Sequence, residues 1–224
     1  MKMLAVLFGL FAAWQAPAPT PTPAALASDP TGWVDLLADK SLKQWTRVSM
    51  SPVGQLPAGD VGGPSPWAVA PSSDLLICEG DKAGHEMLRF AQEVGDFVLH
   101  VEWRYAGPPT DKPYNSGVLA RVSADGSIWH QAQTGAGGGY LFAATLVDGK
   151  PARVNLRDKM AENRVKPAGE WNVYEIRASG RTLTLWVNGA VVSEFTNCEV
   201  PRGYLGLEAE GYRMEFRNLK LKVR

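Results

Sequence analysis

The sequence predicts an all-β domain built from two packed sheets. From Trp33 onward, short runs rich in Val, Leu, Ile and aromatic residues alternate with Gly, Pro, Asn and Asp, which is typical of strands joined by turns. No run keeps the periodicity of a long helix. Roughly ten or more strands at this spacing favour two sheets, because a single open sheet of that width would expose too much apolar area.

The N-terminal residues 1–27 have the character of a secretory signal with a Pro/Thr-rich segment. The apolar stretch from Leu4 to Trp14 follows a basic residue and is too short to cross a bilayer comfortably. We expect cleavage after Ala27 rather than after Ala16, where a proline would start the mature chain. An uncleaved stretch acting as a loose membrane tether is the alternative. The protein is therefore expected to be exported, to the periplasm or the extracellular space, as a single domain over 28–224.

The clearest predicted strand covers residues 96–105, where apolar and polar side chains alternate. Its polar face carries Glu102 and Arg104. Further strands are predicted over 116–122, 128–134, 171–179, 181–187, 191–195, 204–210 and 213–223. Between two of them, Asn188-Gly189 predicts a type I′ hairpin, because both central residues of that turn need a positive φ.

Charge and cysteine content exclude several classes of function. The chain has 23 basic and 23 acidic residues, so nothing favours a nucleic acid or an anionic membrane as partner. An oxidising compartment would allow Cys78 and Cys198 to pair, and the alternative is two buried thiols. No Cys/His spacing typical of zinc is present. We predict no cofactor and no metal, although loop Asp residues and carbonyl groups leave calcium open.

Several segments, spread over nearly the whole mature chain, have an order and spacing that match one known family. They are GWVDLLADKSLKQW, LLICEG, GDFVLHVEWRY, NSGVLARV, GEWNVYEIRASGRTLTLWVNG and RGYLGLEAEGYRMEFRNLKLK. Together they resemble the 3-keto-disaccharide hydrolase domain family. The resemblance implies a secreted two-sheet jelly-roll sandwich similar to concanavalin A and the laminin G domain. It also implies a hydrolase or lyase acting on 3-keto-disaccharides or 3-keto-glucosides.

One departure from the family concerns the site. In the strand after the NSG segment, the family commonly has a Glu and a Gln two residues apart, where this chain has Gln131 and Gln133. The acidic residue that often follows is absent, since Thr134 and Gly135 stand there. These changes leave open a non-catalytic, lectin-like carbohydrate-binding module. A structural adhesion domain of laminin G type is the third alternative.

The keto group implied by the family name changes what catalysis requires. A carbonyl at C3 acidifies the proton on C2, so one base can remove it and expel the glycosidic oxygen from C1, with water added later. That route needs a base, an acid for the leaving group, and a cation or hydrogen-bond donor for the enolate oxygen. Because the substrate is an oxidised sugar, a sugar oxidoreductase is expected to work in sequence with this protein.

Glu208, Glu210 and Arg121 are the predicted catalytic residues. The two acids lie two positions apart on a predicted strand, so they share a face and one pKa should be raised. Arg121 is expected to hold the oxyanion, with Gly117 leaving space beside the ligand. The predicted substrate-binding residues are polar or aromatic side chains of neighbouring strands: Glu102, Arg104, Asn115, Trp129, His130, Gln131 and Gln133. For Glu102 and Arg104, a solvated ion pair between the two is the alternative.

Overall fold

The computed structural model describes residues 20–50, 61, 63–108 and 113–224. Most of the predicted signal, residues 1–19, lies outside them. The described elements are α1 (Ala25–Ser28), β1 (Val34–Asp35), β2 (Trp45–Ser49), β3 (Trp67–Val69), β4 (Leu76–Glu79), β5 (Glu86–Phe90), β6 (Phe97–Tyr105), β7 (Asn115–Val122), β8 (Trp129–Gly135), β9 (Leu141–Val147), β10 (Lys150–Asn155), β11 (Asn172–Ser179), β12 (Thr182–Val187), β13 (Ala190–Phe195), β14 (Tyr204–Ala209) and β15 (Arg213–Val223), with 3₁₀ turns at Gly80–Lys82 and Arg157–Lys159. In this part of the chain, no helix is long and apolar enough to span a membrane.

The strands form two antiparallel sheets that pack face to face. Sheet A has the order β13-β12-β11-β6-β15-β4-β3, with β1 paired to β15. Sheet B has the order β10-β9-β8-β7-β14-β5-β2. Neighbouring strands often come from distant parts of the chain, as β6 and β15 or β7 and β14 do, which is the connectivity of a jelly roll. The predicted all-β, two-sheet jelly-roll sandwich is confirmed.

The inward-facing side chains of both sheets form one continuous core. Trp103 of β6 meets Tyr174 of β11 edge to face, with 5.3 Å between ring centroids, and both are fully buried. Such aromatic pairs contribute about 1 kcal/mol beyond the area that they bury. Cys78 and Cys198 both lie in this core as thiols, the second of the two alternatives. Burial raises the pKa of Cys78 to about 12.

The hairpins show where local sequence predicts structure well. Asn188 and Gly189 have φ values of 44° and 111°, as a type I′ turn between β12 and β13 requires. The hairpin of β9 and β10 is missing from the sequence prediction, although Asp148 and Gly149 carry the same signal. Their φ values, 51° and 70°, are also both positive. These two strands, β9 and β10, extend sheet B beyond the predicted strands.

A buried carboxylate connects the two sheets at one edge of the sandwich. Glu86 of β5 has no exposed surface. It accepts hydrogen bonds from Arg47 Nε at 2.8 Å and from Arg47 Nη2 at 2.7 Å. The indole nitrogen of Trp67 in sheet A donates to the same carboxylate at 3.2 Å. Edge strands of different sheets are thereby joined through one side chain.

Residues 20–28 lie against the outer face of sheet A. Glu175 of β11 is buried there, and its carboxylate accepts hydrogen bonds from the amides of Ala25 at 2.7 Å and Leu26 at 3.1 Å. His100 of β6 pairs with the same carboxylate at 2.9 Å. The start of the short helix α1 is thus fixed by a side chain of the sandwich.

Further contacts attach the same segment upstream of α1. The amide of Thr22 donates to the carbonyl of Gly189 at 2.6 Å, and the indole of Trp186 donates to the Thr22 hydroxyl at 2.9 Å. Cleavage after Ala27 stays a prediction. It would remove the amides that Glu175 binds and leave that carboxylate without two of its donors.

Candidate functional site

The outer face of sheet B carries a groove over an apolar floor. The floor consists of Val48, Met50, Met87, Leu119, Val122, Trp129 and Ala144. A pocket of about 150 Å³ opens above part of it, and a second of about 360 Å³ adjoins the first. The two pockets share Asn115, Gln133 and Phe142, so they form one groove across the sheet.

Three titratable side chains meet in the smaller pocket. One nitrogen or carboxylate oxygen from each of His85, Glu208 and Glu210 lies within 4.8 Å of the other two. His85 Nε2 is 2.8 Å from Glu208 Oε1, although 123 residues separate them in sequence. Glu208 belongs to β14 and Glu210 follows its end, while His85 immediately precedes β5. Because β5 pairs with β14, antiparallel pairing brings the three together.

Amide side chains connect the two carboxylates. Gln131 Nε2 donates to Glu208 Oε2 at 2.7 Å and to Gln133 Oε1 at 3.0 Å. Gln133 donates in turn to Asn115, and Asn115 donates to Glu210 Oε2. Glu208 therefore has partners on both oxygens. Glu210 keeps Oε1 without a hydrogen bond from the described residues.

Gly117 allows this network to cross a strand. It lies on β7, between Gln131 on β8 and Glu208 on β14. A Cβ at this position would lie 2.3 Å from Gln131 Nε2 and 2.4 Å from its Cδ. Only glycine leaves room for the Gln131 side chain to reach Glu208. The space expected for a ligand at Gly117 is thus occupied by Gln131.

Two of the titratable groups have shifted pKa values. The pKa of His85 lies above its ordinary value because Glu208 accepts a hydrogen bond from the ring, an effect that burial only partly offsets. The pKa of Glu210 is raised by burial and by the negative charge of Glu208. The expectation that one of two neighbouring acids would titrate high is met by Glu210.

The same three side chains could hold a divalent cation. One imidazole nitrogen and two carboxylates suit a first-row metal better than calcium, which prefers oxygen ligands alone. The 2.8 Å between His85 Nε2 and Glu208 Oε1 is close to the separation of about 3 Å between adjacent ligands placed roughly 2.1 Å from an octahedral metal. A cation would require His85 to be neutral, whereas its raised pKa favours the protonated ring. Proton transfer and metal binding are therefore competing uses of one cluster.

Arg121 does not face the groove, so its predicted place beside the oxyanion is wrong. Its φ is 47°, and the pairing of β7 with β14 shifts register beside it, which marks a β-bulge. The extra residue reverses the alternation of faces, so the side chain points inward and is fully buried. It donates to the carbonyl of Val200 at 3.0 Å and to Asp96 at 3.3 Å.

Three of the predicted substrate-binding residues also lie away from the groove. Glu102 and Arg104 are on the outer face of sheet A, where they pair with Arg217 and Glu215, each at 2.7 Å, rather than with each other. His130 faces the core and is 2% exposed. Its burial lowers its pKa to about 4. The groove retains Asn115, Trp129, Gln131 and Gln133 from the predicted set.

The sequence prediction missed His85 and Arg153. Arg153 of β10 lines the smaller pocket, with its guanidinium carbon 4.9 Å from the Trp129 ring centroid and 5.5 Å from that of Phe142. The cation therefore covers the ring that was expected to stack on a sugar. His85 can be found only from the pairing of β5 with β14. Arg153 could have been found from sequence, because the hairpin signal at 148–149 predicts the strand β10 that carries it.

Solved structures with the same fold include carbohydrate-related proteins. A candidate glycosyl hydrolase from Parabacteroides distasonis ATCC 8503 aligns with a TM-score of 0.61 and 16% identity, covering 92% of this chain and 100% of that one. Another from the same organism has a TM-score of 0.58 and 16% identity, covering 86% and 99%. The carbohydrate binding module CBM66 from Bacillus subtilis has a TM-score of 0.53 and 13% identity, covering 71% and 92%. At such identities the likeness shows the fold alone.

Comparison with family models shows the family of this chain, whereas the structural likeness shows only the fold. No curated protein sequence matches the chain. A family model does match it over residues 32–222, and that model is described as a 3-keto-alpha-glucoside-1,2-lyase-like domain. The matched range includes every strand of both sheets, except the last residue of β15, and every residue of the groove described above. The chain therefore belongs to the family of 3-keto-alpha-glucoside-1,2-lyase-like domains.

Proposed function

We propose that this protein cleaves 3-keto-glycosides by elimination across C2 and C1, in the groove of sheet B. The observation that carries the proposal is the cluster of His85, Glu208 and Glu210, whose acid and base groups lie within one small pocket. We also propose that the protein is exported and that a sugar oxidoreductase supplies its substrate. Membership of the family supports the substrate class.

The carboxylate missing at position 131 has a counterpart on another strand. Gln131 of β8 donates at 2.7 Å to Glu208 of β14. The pocket therefore keeps a carboxylate paired with an amide, although the residue at 131 is itself an amide. This pairing favours an enzyme over a binding module, because the loss of an acid at 131 was the main argument for binding alone.

Glu210 is the residue best suited to remove the proton from C2. Its Oε1 is unengaged by the described residues, while Asn115 holds Oε2. Its raised pKa makes the carboxylate a stronger base than an exposed glutamate. The C2–H bond breaks, the proton passes to Glu210, and the electron pair moves into the enolate of the C3 ketone.

His85 and Arg153 complete the reaction. The enolate returns its electron pair to form the C1=C2 double bond, and the C1–O bond breaks. The departing oxygen takes a proton from His85, which Glu208 keeps protonated and oriented. Arg153 lines the same pocket and supplies positive charge for the enolate oxygen. Exchange of protons with water restores Glu210 and His85.

The first test compares a 3-keto-glucoside with its unoxidised parent. We expect the purified protein to release aglycone from the keto substrate alone, with a 1,2-unsaturated 3-keto sugar as the other product, followed by absorbance and mass spectrometry. Activity should survive treatment with EDTA, because the proposed steps use side chains only. Loss of activity on chelation, restored by Mn²⁺ or Zn²⁺, would replace the acid–base assignment with a metal site. Binding of sugar without cleavage of either substrate would establish the binding-module alternative.

The pH profile tests the role of Glu208. Activity requires Glu210 ionised and His85 protonated, so the pKa of Glu210 sets the acidic limb and that of His85 the alkaline limb. Removing the charge of Glu208 lowers the pKa of His85, which loses an anionic acceptor. It also lowers the pKa of Glu210, which loses a repelling neighbour. We expect Glu208→Gln to move both limbs of the kcat/KM profile to lower pH.

A matched control separates the effect of Glu208 on the pH profile from the effect of removing any one negative charge from the protein. Glu93 is an exposed carboxylate paired with Arg202 outside the groove, so Glu93→Gln should leave both limbs in place. If Glu208→Gln leaves the limbs where they are in the unmodified protein, the coupling among the three groups does not govern catalysis.

A further inference from the structure

The N-terminal segment, residues 20–28, packs closely on the hairpin of β12 and β13. The amide and the hydroxyl of Thr22 both donate to the carbonyl of Gly189, at 2.6 Å and 3.1 Å. Pro21 passes over Gly189, where an added Cβ would lie 3.0 Å from the Cβ of the proline. Glycine is therefore needed twice at this position, for the positive φ of the turn and for the passage of the segment.

A buried carboxylate of sheet A depends on the same segment. Glu175 is 5% exposed, and its oxygens accept hydrogen bonds from the amides of Ala25 at 2.7 Å and Leu26 at 3.1 Å. His100 is the remaining partner, at 2.9 Å from Oε1. Without the amide of Ala25, Oε2 would have no partner among the described residues. Loss of the segment would thus leave a charged group of the sheet poorly satisfied.

The hydrogen bonds outweigh the cost of burying this charge. Burial alone would raise the pKa of Glu175, yet the bonds from His100 and from the amides of Ala25 and Leu26 hold it below its ordinary value. The carboxylate is therefore ionised at neutral pH. Hydrogen bonds to an ionised acceptor are stronger than those between neutral groups, so the segment is attached firmly.

The bond between Ala27 and Ser28, where cleavage is expected, lies inside α1. The amides of these two residues both donate to the carbonyl of Ala24, at 3.1 Å and 3.0 Å. The backbone here forms a helical turn, whereas proteolysis takes place mainly in poorly ordered, accessible stretches. The folded domain does not present this bond to a protease.

We propose that residues 20–28 stay in the mature protein as part of the domain, and that removal of the leader takes place upstream of residue 20. The A-x-A pattern at 25–27 predicts the alternative, cleavage after Ala27. That pattern describes the residues on either side of one bond and takes no account of the partners that sheet A provides. The proposal rests on the proposed export for the existence of a leader, and the attachment of the segment stands without it.

The first test determines where the exported chain begins. The full chain, with its own leader and a C-terminal tag, is expressed in a bacterial host, recovered from the periplasm and measured by intact mass spectrometry. We expect a chain that begins at or before residue 20. A chain that begins later, at Ser28 above all, would overturn the proposal. An unprocessed chain retained in the cytoplasm would count against export alone, and the second test then decides the proposal.

Hydrogen exchange followed by mass spectrometry tests the attachment itself. We expect slow exchange over residues 20–28, and exchange about tenfold faster in Glu175→Gln, because the amides lose a charged acceptor. Glu194→Gln is the matched control, since Glu194 is an exposed carboxylate of the same sheet. It should leave the exchange unchanged. Equal exchange in Glu175→Gln and in the unmodified protein would overturn the proposal.

A second variant guards against loss of folding at the buried Glu175. Ala25→Pro removes one of the two amide donors, and Ala25 is the first residue of α1, a position that accepts proline. We expect it to speed exchange at Leu26 about tenfold, whereas Ala25→Ser, which keeps the amide, should not. Slow exchange in Ala25→Pro would show that the segment is held without Glu175, contrary to the proposal.

Discussion

Replacing Glu210 with Gln is expected to lower kcat/KM on a 3-keto-glucoside by about 10³-fold, the size typical of a lost general base. The amide has nearly the same shape and can still contact Asn115, so the pocket should keep its form. It cannot accept the C2 proton at neutral pH. Initial rates of aglycone release and a parallel titration of substrate binding would separate lost chemistry from lost affinity.

The control for this variant is a carboxylate that is exposed and distant from the groove. Glu194 of β13 is such a residue, and Glu194→Gln should retain full activity. Glu210→Gln should still bind the keto substrate with nearly unchanged affinity. An activity within a few-fold of the unmodified protein would exclude Glu210 as the base and direct attention to Glu208 or to a bound metal.

Replacing Glu86 with Ala is expected to destabilise the domain by about 3 to 5 kcal/mol, because it leaves Arg47 without its buried partner. The carboxylate is fully buried and receives two hydrogen bonds from Arg47 and one from Trp67 of the other sheet. That loss is a large part of the stability of a typical domain. Urea denaturation followed by circular dichroism would measure it.

An exposed ion pair supplies the comparison. Glu79 pairs with Arg213 near the surface, where their side chains are 29% and 38% exposed. Glu79→Ala should cost at most about 1 kcal/mol, as surface pairs usually do. If Glu86→Ala costs no more than Glu79→Ala, the buried carboxylate does not join the sheets as described.

Alternation along strands predicted much of this molecule from local sequence. The period of two in β6 separated core from surface correctly. It also placed Gln131 with Gln133 and Glu208 with Glu210, and all four line the groove. These predictions succeed because each needs only the pleat of one strand.

The errors share a different cause. Alternation assigns a side chain to one face of its own sheet, but it does not say which sheet the strand joins. Glu102 and Arg104 were therefore placed with the groove, although β6 lies in sheet A. Arg121 was misplaced because a bulge shifts the alternation by one residue. His85 was missed because its neighbours on β14 are more than 120 residues away.

The attachment of residues 20–28 determines how the domain would be presented on any larger structure. That segment is fixed to Glu175 and Trp186, on the side of sheet A. Residue 20 therefore lies on that side of the domain. The pocket of His85, Glu208 and Glu210 lies on the opposite sheet, so residues 20–28 leave its opening uncovered.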